Sequence, residues 1–360
     1  MATVQRYVNT ASSGGDGTTN GTSGSTAAYA SLSAWEAAEG AVATATDDHI
    51  VDCCGTAADT TAVTIDFATT PASILIRGNR SDSAGFYDGT AIISTSHYRL
   101  THGAGTSGIT IVEPNVTIDG IQIESSGGVF RGAIRTIPPS TAGSHCRVRK
   151  CRLRAAAATD FGIGSDGVYG ATCTYTFENN LIVGFTLSGI NAQTITHGNS
   201  IFNIYHNTIW GDTSSDGIQL VQADGLGTPV YNVKGNALAN SGSQADIDAA
   251  AMLENGATVT YADNATEQFD LGTTNEIDLG ATTDAWTNPG TDQSDEFTVK
   301  NTSSALYNAV NPTLVTTDIT DFTRDGTNHD VGCFEFQATS ILLFVARDME
   351  NIADMKDMRG

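Results

Sequence analysis

One ten-residue pattern returns six times between Val116 and Glu267, and no other property of the chain restricts its fold as strongly. The copies are VTIDGIQIES from 116, CRVRKCRLRA from 146, YTFENNLIVG from 175, FNIYHNTIWG from 202, YNVKGNALAN from 231 and VTYADNATEQ from 259. Set in register, Ile118, Val148, Phe177, Ile204, Val233 and Tyr261 form one apolar column. Ile123, Leu153, Ile182, Ile209 and Leu238 form a second, broken at Thr266. Between the two stand Ile121, Cys151, Asn180, Asn207, Asn236 and Asn264, at successive spacings of 30, 29, 27, 29 and 28 residues.

A repeat of that length, made of short period-2 strands with no helical periodicity between them, describes a rung that buries its face only by stacking on the next. The predicted fold is therefore all-β, a single-stranded parallel β-helix. Column members then lie ~4.8 Å apart, and Asn180, Asn207, Asn236 and Asn264 stack as an amide ladder. An interior asparagine requires such partners, because burying an unpaired amide costs about 1–3 kcal/mol on mutational scales. A secondary strand recurs as FGIGS, SGINA and DGIQL, its isoleucine standing 10–12 residues after the central column.

The columns, the asparagine run and the terminal stretch DVGCFEF at 330–336 resemble the right-handed parallel β-helix repeat family, the pectate-lyase-like superfamily. The resemblance implies a right-handed coil and a choice of functions, since that fold carries lyases, hydrolases and purely structural virion proteins. The family's enzymes work with carboxylates and an arginine in a groove beside a parallel sheet, with Ca²⁺ in the lyases. The NTD, GHG and RIK signatures of the polygalacturonase branch do not occur in this sequence, and THG at 101–103 and 196–198 stands without them. No catalytic role is carried over.

A solenoid core grows with its rungs, so 360 residues need only one elongated domain. Residues 1–48 read as an N-terminal cap: a strand at Arg6–Asn9, a Gly/Ser/Thr loop, and a short helix with Tyr29, Leu32, Trp35 and Ala38 on one face. Solenoid ends expose unpaired strand edges, which such a helix covers. Residues 49–336 form the coil. Its strands HIVDC, AVTIDF, SILIRG, AIIS, YRLTH and GITIVE give two or three less regular rungs before Val116, and LGTTNEIDLG, EFTVKN and SALYNA give shorter ones after Glu267. Residues 337–360 form a tail: Ile341, Leu342, Leu343, Phe344 and Val345 are the most apolar run, and Met349, Ile352, Met355 and Met358 follow at every third residue. That tail reads equally as an assembly element or as the coil's own C-terminal cap.

Forty acidic against 17 basic side chains give a net charge of −23, which disfavours nucleic-acid binding, where a basic surface displaces counterions. A solvated acidic surface is the expected reading. Calcium between carboxylates is its alternative, but no motif supports a calcium site and no cofactor is expected. The N-terminal MATVQRYVNTASSGG lacks an apolar core of signal-peptide length, and no run approaches the ~20 apolar residues needed to span a bilayer. Synthesis in a cytoplasm, without membrane association, is expected. Cys53, Cys54, Cys146, Cys151, Cys173 and Cys333 show neither CxxC pairing nor zinc-site spacing, so buried free thiols are expected.

Four features bear on function. Asp160 and Asp216 each lie nine residues past the central column, two rungs apart with Gly189 between. Two rungs span about 9–10 Å, near the carboxylate separation of inverting glycosidases, although acidic residues crowd the turns of such chains anyway. Seven of the 17 basic residues fall between Arg131 and Arg154, with Arg147, Arg149, Arg152 and Arg154 turned outward. They either bind an acidic polysaccharide or protein, or pair with Asp119, Glu124 and Glu178 on neighbouring rungs. Further along, the outward face becomes apolar: Leu181 and Val183, then Tyr205 and Trp210, then Ala237 and Ala239. Such a patch calls for a cover from the chain itself, a protein interface, or a sugar stacked on Trp210. His206 takes a surface position beside Asn207. The expected function is a structural virion-surface protein, such as a bacteriophage capsid decoration or fibre component, partnered by other virion proteins or by copies of itself. The alternative is a polysaccharide lyase, glycoside hydrolase or glycan-binding module with surface polysaccharide as partner.

Overall fold

The computed structural model describes residues 2–78, 92–103, 105–125, 132–137, 143–155, 161–166, 172–194, 199–211, 216–222, 227–239, 246–248, 257–267 and 277–279, with 306, 315, 319, 324 and 330–333. The chain forms a parallel β-helix. From Asp48 to Thr266 it visits three parallel sheets in strict rotation, and among the described residues these hold nine, nine and seven strands. The six repeats divide between the first two sheets. In the first run Val116–Asp119, His145–Arg149, Thr174–Glu178, Ile201–Tyr205, Val230–Lys234 and Thr258–Ala262. In the second run Gln122–Ser125, Arg152–Ala155, Leu181–Val183, Thr208–Trp210, Ala237–Ala239 and Ala265–Thr266. The third sheet carries the secondary strands Phe161–Asp166, Ser188–Thr194 and Asp216–Gln222.

Both apolar columns hold in register. Val148 pairs with Ile118 and Phe177, and Ile204 continues to Val233 and Tyr261. Ile123, Leu153, Ile182, Ile209 and Leu238 likewise share one file, ending at Thr266. The first residue of each repeat forms a further interior file in which Tyr175, Phe202 and Tyr231 stack face to face, with ring centroids 4.6 and 4.9 Å apart. The strand spacing fixes that arrangement, because rings on adjacent strands of a parallel sheet are held about 4.8 Å apart.

The corner between the first and second sheets explains the asparagines. The residue before the central column has positive φ in all six repeats: Gly120 72°, Lys150 55°, Asn179 54°, His206 52°, Gly235 65° and Asp263 56°. This left-handed residue turns the chain sharply and points the following side chain inward. Each asparagine amide then reaches the next: Asn180 Nδ2 donates to Asn207 Oδ1 at 2.9 Å, Asn207 to Asn236 at 3.0 Å, and Asn236 to Asn264 at 2.9 Å. Every Nδ2 also donates to a main-chain carbonyl, of Val148, Phe177, Ile204 or Val233 in turn. The ladder therefore satisfies both the buried side chains and the strained corner.

A second corner, between the second and third sheets, depends on glycine. Ideal Cβ atoms at Gly162, Gly189 and Gly217 would fall 2.5, 2.4 and 2.5 Å from side-chain carbons of Ile182, Ile209 and Leu238. The recurring Gly-Ile dipeptides at 162–163, 189–190 and 217–218 thus mark where the chain passes closest to the inward column of the preceding sheet.

The N-terminal cap adds a strand, Thr3–Asn9, longer than the Arg6–Asn9 read from sequence, paired with Asp48–Cys54. The helix spans Leu32–Glu39 with Ser31 as its N-cap, and its buried face is Leu32, Trp35 and Glu39. Ala38 lies on the exposed side, and Tyr29 precedes the helix, bridging to Val8. Asp59 joins cap and coil: its carboxylate accepts the Leu32 amide at 2.8 Å and the Tyr98 hydroxyl at 2.8 Å. Glu39 is buried but accepts from Arg6 Nε at 2.6 Å and the Tyr29 hydroxyl at 2.7 Å.

AIIS, read as a strand, is not one at Ile92 and Ile93, and of SALYNA only Leu306 is described. Ile92 and Ile93 of AIIS, and Leu306 of SALYNA, lie with Ile319, Val331 and Cys333 in a second apolar cluster against Leu181, Ala237, Ala239 and Ala265. Those four lie in strands of the second sheet. EFTVKN and residues 337–360 lie outside the described residues.

Candidate functional site

Three flanks follow from three sheets, and each holds one set of the residues singled out in the sequence. On the first, the outward arginines and carboxylates pair across strands. Arg149 Nη2 lies 2.7 Å from Asp119 Oδ2, and Arg77 Nε lies 2.6 Å from Asp52 Oδ1. Glu178 stands opposite Arg149 in the strand register, yet its carboxylate bonds the guanidinium of Arg147. The ladder of opposite charges is present, with that one exchange of partner. Arg154 and Glu124, on the second sheet, are looser at 3.9 Å. Arg152 points outward from the second sheet but is fully buried, with Nη1 near the Ile92 carbonyl at 3.5 Å.

The second flank is apolar, and the chain itself covers it. Leu181 is 0% exposed, and Tyr205, which ends a strand of the first sheet, is 7% exposed, so neither offers a docking surface. Val183 and Trp210 are half-buried against the same cluster. The cover is pinned by backbone and side chain alike. The Gly332 amide donates to the Gly235 carbonyl at 2.8 Å, and the Cys333 amide donates to Thr208 Oγ1 at 3.0 Å. The buried Arg324 gives Nη1 to the Asp330 carbonyl at 3.0 Å, and Nη2 to the Gly332 carbonyl at 2.8 Å and to Asn179 Oδ1 at 3.0 Å. His206, expected at the surface, is 1% exposed. Its ring lies so close to the corner glycine of the next rung that an added Cβ on Gly235 would fall 2.9 Å away. Sequence reasoning missed Arg324 because no period relates it to the rungs. Ile341, Leu342, Leu343, Phe344, Val345, Met349 and Ile352, expected from the sequence to serve an interface, lie outside the described residues.

The third flank holds Asp216. The register sets it opposite Ser188, and Ser188 opposite Phe161, so the residue two rungs from Asp216 is Phe161 and the residue between is Ser188, not Gly189. The corner glycines account for the difference: Gly162, Gly189 and Gly217 form their own file one residue further on. Asp160 lies outside the described residues. Asp216 is half-buried, and burial, with the Asp248 carboxylate adding repulsion, pushes its carboxyl up to about 6. Asn191 Nδ2 donates to Gln219 Oε1 at 2.7 Å along the same face. A carboxyl poised near neutrality can give or take a proton. Asp248 is the neighbour that sequence spacing did not supply, because it stands opposite Gln219 rather than opposite Asp216 in the strand register.

Among the described residues no group of three or more His, Cys, Asp or Glu side chains is placed to share a metal ion, and no helix is long and apolar enough to cross a membrane. Compared with protein families and with curated proteins, the sequence matches none.

Proposed function

We propose that this β-helix is a structural component of a virus particle, a stiff acidic rod of the capsid-decoration or fibre kind, partnered by other virion proteins or by copies of itself. The observation that carries this reading is how the charged groups of the first flank are used: Asp52, Asp119 and Glu178 each hold an arginine of a neighbouring strand. Paired in this way, they bind rung to rung and stiffen the coil. The test has two arms. Antibodies to the protein should label particles purified from lysates of the host that produces it. Reducing-end assays and ultraviolet assays for unsaturated uronates, over acidic and neutral polysaccharides, should detect no turnover. Turnover on any of them overturns the structural reading.

The second reading, a polysaccharide-cleaving or glycan-binding protein, is favoured by one observation, the raised carboxyl of Asp216 beside Asp248 on the third flank. If it holds, Asp216→Asn abolishes turnover and leaves the melting temperature unchanged or higher, since a repelled buried carboxylate is removed.

A further inference from the structure

Three carboxylates meet at the seam where the cap helix Leu32–Glu39 packs on the third sheet. Glu36 stands beside Gly40, where an added Cβ would fall 3.0 Å from Glu36 Oε1 and 3.1 Å from the Phe67 ring. Asp66 immediately precedes that phenylalanine and follows the strand Val63–Ile65. Glu113 comes from the neighbouring rung: it follows the strand Ile109–Ile111, which pairs with Val63–Ile65, and its amide donates to the Ile65 carbonyl at 3.2 Å. The Ala68 amide donates to the Gly40 carbonyl at 3.0 Å and ties the end of the helix to the same turn.

We propose that this seam is a pH-sensitive latch, which holds the cap helix on the coil when its facing carboxyls are protonated and loosens it when they ionise. Glu113 is 6% exposed, and its Oε2 is buried without a hydrogen-bond partner. A charge so placed is costly, and protonation removes it. Its neighbours add repulsion: Glu36 faces the carboxylates of Asp66 and Glu113, and Glu113 faces that of Asp66. Arg6, the cation of the cap strand, is bound to Glu39 instead. Burial first, and then repulsion from Asp66, raises the Glu36 and Glu113 carboxyls above the ordinary value of 4.5, with the Asp66 amide opposing at Glu36 and the Thr70 hydroxyl at Glu113. A carboxyl raised in the folded state stabilises that state while it is protonated. The contribution is fully present below the unfolded value of 4.5 and is lost as pH rises through the folded one. The helix also meets Asp59, which accepts the Leu32 amide, and His49, which lies 4.0 Å from Glu39. Burial lowers His49, so its titration acts in the opposite sense. The latch belongs to the fold and holds whether or not the protein is structural.

The test is hydrogen exchange of the whole protein, read by mass spectrometry on the helix Leu32–Glu39 and, as an internal standard, on the strand Ile201–Tyr205. Each variant is compared with the parent at the same pH, so the intrinsic pH dependence of exchange and the titration of His49, common to both, cancel. Asp66→Asn, at an exposed position, keeps the main-chain amide and removes the repelling charge. Glu113→Gln keeps the shape and removes the buried one. At about pH 7.5 both should slow exchange of the helix severalfold relative to the parent, and at about pH 4.5 that advantage should shrink. The strand should exchange as in the parent throughout. If Glu113→Gln does not fold, Asp66→Asn decides the question alone. The proposal fails if Asp66→Asn gives the helix no added protection at the upper pH, or if the advantage is equal at both, which would make it an effect of shape rather than of charge. It also fails if the strand gains protection in step with the helix, since the carboxyls would then act on the whole coil and not on the cap.

Discussion

Single residues hold this coil together through groups that would be liabilities alone. Asn207 accepts from both the main-chain and side-chain nitrogens of Asn180, at 3.1 and 2.9 Å, and donates to Asn236 and to the Phe177 carbonyl. Asn207→Ala orphans several buried groups at once, each worth about 1–3 kcal/mol, so urea denaturation should show a loss of about 3 kcal/mol or more. A loss within experimental error would mean that water or a shifted amide fills the gap. His49 makes the opposite case. It is 1% exposed, neither ring nitrogen has a hydrogen-bond partner, and its ring meets Phe67 edge-on at 5.2 Å. Burial pulls its imidazole below the ordinary value of 6.5, with Arg6 acting the same way and the carboxylates of Glu39, Asp47 and Asp48 opposing. The unfolded chain therefore takes up this proton first on acidification, and stability falls as pH drops below the unfolded value of 6.5. His49→Phe keeps the ring contact and removes the titration. Its stability should drop less than the parent's between about pH 7 and pH 5, and an identical drop would assign the acid sensitivity to other groups.

At the scale of the element, the corners rather than the strands set the shape of each rung. The asparagine corner is legible because its residue type repeats, whereas counting from the central column sets Gly189 level with Asp216, where the register has Ser188. Gly189 instead serves the close approach of Ile209. A methyl there falls 2.4 Å from Ile209 Cγ2, and overpacking of this kind costs about 1–3 kcal/mol. Gly189→Ala should be destabilising by that amount. Combined with Ile209→Ala, itself worth about 2–5 kcal/mol, it should cost less than the sum, because the truncated side chain makes room for the new methyl. A double-mutant cycle measures the coupling, and strict additivity would show that the strand moves instead.

For the whole molecule, the thiols report on the packing: all six cysteines are buried and none is in a disulfide. Burial pushes Cys146 and Cys151 up to about 12, so thiolate is scarce at neutral pH. In the native protein all six should resist alkylation, and all six should react without reductant once it is denatured. Mass spectrometry counts both, and a thiol that modifies readily in the folded state would contradict the packing. What the sequence determined alone is the coil: a rung contacts only its neighbours, so a one-dimensional period in Ile118, Val148, Phe177 and their successors is enough to specify sheets, register and inward faces. The aromatic file of Tyr175, Phe202 and Tyr231 was equally present as the first letter of each repeat. What only the tertiary structure decided is which outward faces meet water. Alternation separates inside from outside, but Leu181 and Ala237 are covered by Ile92, Leu306, Ile319 and Val331, and Arg324 reaches back to Asn179. Those contacts join residues far apart in the chain and repeat nowhere, so no period in the sequence could announce them.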